Sequence, residues 1–94
     1  MHSINIEELL NKNNINIIDI RNNSRYNSGH IPGSINIPEV NLTLNPSKYL
    51  NKNDTYYIYC EHGSRASFVV NLLNSVGYNC VNINGGYNNY LLRK

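Results

Sequence analysis

Apolar positions along the chain alternate between short β-branched runs and stripes at helical spacing. Ile15-Asn16-Ile17-Ile18-Asp19-Ile20 and Thr55-Tyr56-Tyr57-Ile58-Tyr59 are dense in β-branched and aromatic residues and predict strands. Ser34-Ile35-Asn36-Ile37 predicts a shorter strand, cut off by Pro38, and Cys80-Val81-Asn82-Ile83 a further one. Ala66, Val69, Val70, Leu73 and Val76 share one helical face, so a helix is expected over 64–76, with Gly77 as its stop. Asn5-Ile6-Glu7-Glu8 has the form of a capping box, with Asn5 as N-cap and Glu8 at N3, and predicts a short helix to about residue 12. Asn45-Pro46 reads as a helix start with Pro in the first turn. Residues 21–28 predict a turn or short helix, 29–33 a loop, Gly85-Gly86 a turn, and 87–93 a final helix.

Strands alternating with helical segments point to an α/β domain, a mostly parallel sheet covered on both faces. Ligands in such sheets bind at the carboxyl ends of the strands. Two polar features fall there: Asp19-Ile20-Arg21 and Cys60-Glu61-His62-Gly63-Ser64-Arg65.

Composition narrows the function classes. The 94 residues make one small domain with one modest core, spanning 1–94. Net charge is +2 and the eight Lys and Arg are scattered, so no nucleic-acid footprint is visible. The many Asn residues are interleaved with Ile, Val, Leu and Tyr, unlike a prion-like tract. Cys60 and Cys80 make no disulfide framework, and neither has a partner at zinc-ligand spacing. No cofactor or metal is implied. No stretch reaches the apolar length of a membrane span, and the N-terminus lacks the basic region of a signal peptide. A cytoplasmic, reducing location, a monomer, and no nucleic-acid or membrane partner are the expectations.

The chemistry concentrates after the strand that ends at Tyr59. Successive backbone N–H groups of the loop, together with the start of the following helix, can form a concave anion site around the Cys60 sulfur. Gly63 suits a loop that curls tightly. Arg65 can screen a thiolate, bind a substrate oxyanion, or brace the loop by an ion pair. Position alone leaves two readings open, a packed thiol at a strand end and an activated nucleophile.

Four segments then resemble, in order, the motifs of the rhodanese family. Cys60-Glu61-His62-Gly63-Ser64-Arg65 resembles its Cys-x-x-Gly-x-Arg active-site loop. Ile18-Asp19-Ile20-Arg21 resembles its Asp-x-Arg strand end. Gly29-His30-Ile31-Pro32-Gly33-Ser34-Ile35-Asn36-Ile37-Pro38 is similar to its Gly-His-Ile-Pro-Gly-Ala-x-Asn-Ile-Pro signature. Asn84-Gly85-Gly86 followed by Tyr90 resembles its closing turn, where Trp is usual. The departures, Ser34 for Ala and Tyr90 for Trp, bear on packing rather than chemistry.

The resemblance implies a three-layer fold, a parallel sheet of about five strands with helices on both faces. It also implies a sulfurtransferase. Cys60 is the expected nucleophile, taking a sulfane sulfur from thiosulfate or a persulfide as a Cys60 persulfide and yielding it to a thiol or cyanide. Arg65 is the second catalytic candidate, and Glu61, His62, Gly63 and Ser64 are the substrate-binding ones, with the N–H groups of residues 61–65 steadying the persulfide. Partners would be the small donor, a thiol acceptor, and thioredoxin-like or other sulfur-relay proteins.

Two alternatives stand beside this. One is a persulfide carrier or docking module for a fixed partner enzyme. The other is a phosphatase or arsenate reductase on the same fold, whose loops place one more residue between Cys and Arg than the five-position step from Cys60 to Arg65. Asp19 and Arg21 read as a bracing pair, and His30 as a hydrogen-bonding partner of loop backbone. Glu61 and His62 read as solvent-facing side chains that tune donor choice. Cys80 reads as a packed thiol, and Tyr56, Tyr57 and Tyr59 as strand packing.

Overall fold

Five parallel strands form one sheet in the order β1-β5-β4-β2-β3 in the computed structural model, which describes residues 2–93. The strands are β1 (Ser3–Ile4), β2 (Asn16–Asp19), β3 (Ser34–Asn36), β4 (Thr55–Tyr59) and β5 (Asn79–Ile83). The helices are α1 (Ile6–Leu10), α2 (Asn23–Ser28), α3 (Glu39–Leu44), α4 (Pro46–Tyr49), α5 (Ser64–Ser75) and α6 (Gly86–Leu92). Every strand pairing is parallel, with Ile18 opposite Ile58 and Tyr56 opposite Cys80.

Parallel pairing needs crossover connections, and these lay helices on both faces. On one face Ile18, Ile20, Ile58 and Cys80 pack against Ala66, Val69, Val70 and Leu73 of α5 and Leu42 of α3. On the other face Ile17, Tyr59 and Ile83 pack against Ile6 and Leu9 of α1, with Tyr87 and Tyr90 of α6 alongside. The three layers match the expected fold class.

The chain leaves β2 toward β3 on one side of the sheet and leaves β4 toward β5 on the other. The carboxyl ends of β2 and β4 therefore flank the crevice where the winding reverses, the usual place for a ligand in an open α/β sheet.

Several local expectations need correction. Asn5 does sit at the N-cap of α1, but its side chain caps nothing in the helix; Asn5 Oδ1 instead accepts from Asn84 Nδ2 at 2.8 Å, tying α1 to the end of β5. α1 stops at Leu10, because only Ile6 and Leu9 have a core to face. Val76 lies just past α5 and is 51% exposed, so the buried stripe ends at Leu73. α3 was not expected, and Leu42 is its one buried residue. The two-residue β1 was not expected either.

Both departures from the family motifs find local partners. The Ser34 hydroxyl donates to the Ile31 carbonyl at 2.7 Å and pairs with the Tyr59 hydroxyl at 3.1 Å, so the extra oxygen is satisfied where it is buried. The Tyr90 ring stacks on Tyr87 at a centroid distance of 5.8 Å.

Candidate active site

β4 delivers Cys60 to the crevice, and the loop that follows wraps its sulfur with backbone donors. The N–H of Gly63 donates to Cys60 Sγ at 3.1 Å and the N–H of Ala66 at 3.3 Å. These are free donors because the first turn of α5 has no earlier carbonyls to satisfy. The sequence placed the donors at residues 61–65. Of these, among the described residues, Gly63 alone bonds the sulfur, and the second donor, Ala66, lies outside that range, at the third position of α5, where its N–H points back along the helix axis.

The curl depends on Gly63, whose φ is +104°, in the left-handed region that side chains rarely adopt. A Cβ there would also sit 3.1 Å from the Gly85 nitrogen. The Gly85-Gly86 turn holds the loop from behind. Tyr87 N–H donates to the Cys60 carbonyl at 2.9 Å and Asn88 N–H to the Glu61 carbonyl at 3.0 Å. Any side chain at Gly86 would collide with that Cys60 carbonyl. The start of α6 thus fixes the backbone that carries the thiol, a role the turn signal alone did not reveal.

Cys60 itself is buried, at the floor of an open cup of about 460 Å³ lined by Arg21, Arg25, Glu39, Glu61 and Arg65. Arg21 is the hub of one wall. Its guanidinium grips Asp19 through Nε at 3.1 Å and Nη2 at 2.7 Å, donates to the Gly29 carbonyl at 2.6 Å, and reaches Glu61 Oε1 at 3.2 Å. It also lies over the Tyr87 ring, 4.3 Å from the centroid. Burial works against its charge, but Asp19 and Glu61 outweigh that and hold the guanidinium above its ordinary pKa. Asn36 Nδ2 adds bonds to the carbonyls of Asp19 and Arg21. The strand-end pair expected from the sequence is therefore a brace joining β2, β3, the 29–33 loop and the cysteine loop.

His30 donates through Nδ1–H to the Tyr26 carbonyl, 2.9 Å away, and stacks on the Tyr26 ring. Its backbone partner lies in α2 and not in a loop as expected, and His30 is outside the cup lining. Ser64 and His62 are exposed.

Glu61 is not the solvent-facing side chain the sequence suggested. Its carboxylate is fixed between Arg21 and Arg25, with Arg25 Nη2 at 2.9 Å. Partial burial pushes its carboxyl up, but the bonds from Arg25 and Arg21 outweigh this and hold it below the ordinary carboxylate range. Arg65 takes the bracing role among the three left open. Its side-chain hydrogen bonds go to Glu39 at the start of α3, and that partner holds its pKa above the ordinary value. Arg25 and Glu39 were missed. Each lies more than 20 residues from its partner, so no local spacing could show the pairing.

Among the described residues no group of three His, Cys, Asp or Glu is placed to hold a metal ion, and no helix is long and apolar enough to cross a membrane.

A cysteine cradled at this strand end is accompanied by similarity along nearly the whole chain. The family described as "Rhodanese-like domain" matches residues 5–93. Thiosulfate sulfurtransferase PspE of Escherichia coli is 33% identical over 82% of this chain and 75% of that protein. The adenylyltransferase and sulfurtransferase uba4 of Ogataea parapolymorpha is 33% identical over 88% of this chain, which spans only 22% of that longer protein. The solved structure of a rhodanese-related protein from Thermoplasma volcanium superposes with a TM-score of 0.87 at 32% identity, covering 97% of this chain and 91% of that one. Motif order, sheet topology and near-complete coverage agree, and the chain belongs to the rhodanese-like domain family.

Proposed function

We propose that this protein is a sulfurtransferase that moves a sulfane sulfur through a persulfide on Cys60. The observation that carries the reading is the pair of backbone N–H groups, from Gly63 and Ala66, aimed at one sulfur on the floor of an open cup. Donors fixed around a sulfur suit a thiolate and, after reaction, the terminal sulfur of a persulfide. In the first half-reaction the Cys60 thiolate attacks the sulfane sulfur of the donor. With thiosulfate the S–S bond breaks and its electron pair leaves on sulfite. In the second, an acceptor thiolate or cyanide attacks the outer sulfur of the persulfide, and the bonding pair returns to Cys60 as thiolate. This is covalent catalysis in two displacements, with no net redox change and no external oxidant.

Within this reading Gly63 and Ala66 hold the sulfur, and Gly86 with Tyr87 fixes the backbone beneath it. Asp19 and Arg21 keep the wall in place, with His30 bracing the neighbouring loop. Ser64 and His62 stand exposed beside the cup. Arg65 contributes charge at the rim while held by Glu39. That engagement speaks against the phosphatase alternative, which needs an arginine free to clasp a tetrahedral oxyanion.

The test is intact-mass measurement after exposure to thiosulfate or a low-molecular-weight persulfide. A gain of about 32 Da is expected on the wild type and none on Cys60→Ser. An adduct that survives in the serine variant sinks the assignment. Full loading without turnover to cyanide or glutathione would mark the domain as a carrier for a fixed partner.

A further inference from the structure

The walls of the cup are closed by ion pairs, all but Arg21–Asp19 crossing between elements far apart in sequence. Arg21 pairs with Asp19 and Glu61, Arg25 with Glu61, and Arg65 with Glu39. Three guanidinium groups around the thiol are thus matched by three carboxylates. Before Cys60 ionises, these side chains give the cup no net charge. A cup lined by the arginines alone would concentrate small dianions, because a cleft of one sign focuses the field and raises the local concentration of counter-ions.

Glu61 is the carboxylate that most directly cancels this pull. A single oxygen, Oε1, receives Arg21 Nη1 at 3.2 Å, Arg25 Nε at 3.2 Å and Arg25 Nη2 at 2.9 Å. It is one residue from the nucleophile, and its backbone is pinned by Asn88. Asp19 already matches Arg21, so the single charge of Glu61 offsets one cation of this wall, and the Arg25 side chain that it holds remains mostly exposed at the lip.

We propose that Glu61 is the donor-selecting residue of the cup: by cancelling the one positive charge that Asp19 and Glu39 leave unmatched among Arg21, Arg25 and Arg65, it disfavours dianionic sulfur donors relative to donors of lower charge. This rests on the sulfur-transfer reading above. The favoured class is a sulfane donor with one negative charge or none, such as an organic persulfide or thiosulfonate. With a thiosulfonate the Cys60 thiolate takes the sulfane sulfur, the S–S bond breaks, and its electron pair leaves on a sulfinate. The step differs from that with thiosulfate by one unit of donor charge and little else.

The experiment compares kcat/KM for thiosulfate, a dianion, and methanethiosulfonate, a monoanion, with cyanide as acceptor. Wild type, Glu61→Gln and Arg25→Gln are each measured at low and high ionic strength. Glu61→Gln leaves one positive charge unmatched and is expected to raise kcat/KM by about tenfold for the dianion and about threefold for the monoanion, the scale of a unit charge at the lip of a wet cup. Arg25→Gln leaves the carboxylate in excess and is expected to lower both values, again more for the dianion. Salt should erase the gain in Glu61→Gln, because screening acts on the attraction and not on the fold. Equal changes for the two donors, or salt-independent changes, overturn the proposal. If Glu61→Gln does not fold, Arg25→Gln alone decides by the same donor ratio. Failure of the wild type to form a Cys60 persulfide from either donor would instead overturn the sulfur-transfer reading, and the inference with it.

Discussion

Cys60, just past β4, and Cys80, on the adjacent β5, are both buried and belong to the same core cluster. Their surroundings are nevertheless opposite. Cys60 follows the carboxyl end of β4, where α5 begins and unpaired N–H groups converge on its sulfur. Cys80 stands near the amino end of β5, soon after α5 has ended. There Asn74 satisfies the backbone of Cys80 through its N–H and carbonyl, and among the described residues no hydrogen bond reaches the sulfur. Burial alone acts on that thiol and pushes its pKa up to about 11. A parallel strand therefore has two chemically different ends, and the same residue type is a candidate nucleophile at one and core filling at the other.

The sharpest break between the two is expected from serine substitutions. Cys60→Ser should abolish the sulfur adduct altogether, and Cys80→Ser should leave it in place, as read by intact mass. Cys80→Ser is instead expected to cost about 1–3 kcal/mol of stability in a denaturant melt, from a hydroxyl buried without a ready partner. An adduct carried by Cys80 would erase the distinction between the strand ends.

The next largest effect tests what makes the Cys60 end special. Gly63→Ala forces a Cβ into the left-handed conformation at φ +104° and against Gly85. It is expected to cost roughly 1–3 kcal/mol and to slow sulfur transfer about 10-fold to 100-fold as the Gly63 N–H leaves the sulfur. Lost stability with an unchanged transfer rate would show that the donors are decoration.

Alkaline titration examines the Cys80 end. Its folded pKa of about 11 lies above the reference value of 9.0, so the unfolded thiol gives up its proton first. The contribution is fully present below pH 9 and is lost as pH rises toward 11. The melting temperature should fall across that window, and Cys80→Ala should flatten part of the fall. Tyr59, whose hydroxyl burial pushes up more strongly, accounts for further loss at higher pH.

The smallest effect is expected at the rim. Arg65 is exposed and paired with Glu39, so Arg65→Ala should barely move the melting temperature. Its charge still faces the cup, and kcat/KM for thiosulfate is expected to fall about threefold. An unchanged value would assign Arg65 to Glu39 alone.

Much of this arrangement was legible in the chain. The strands around Ile18 and Ile58, the helix after Gly63 and the loop between them announce themselves, because each is built from contiguous residues with a clear period or a conformation only glycine tolerates. That was enough to place a cysteine at the carboxyl end of a strand and to expect N–H groups around it. β1 and α3 stayed hidden because two residues, and one buried Leu42, carry no period.

Local sequence governs what a segment of several residues does with its own backbone, and so it determined the curl of the cysteine loop, while Tyr87 and Asn88 pin that backbone from a distant part of the chain. Tertiary structure decided what surrounds the cradle. The pairing of Glu61 with Arg25 spans 36 residues and with Arg21 spans 40, and Arg65 meets Glu39 across 26. Ion pairs of that kind depend on where the winding of the sheet brings three separate strand ends together. The net charge of the cup is therefore a property of the fold.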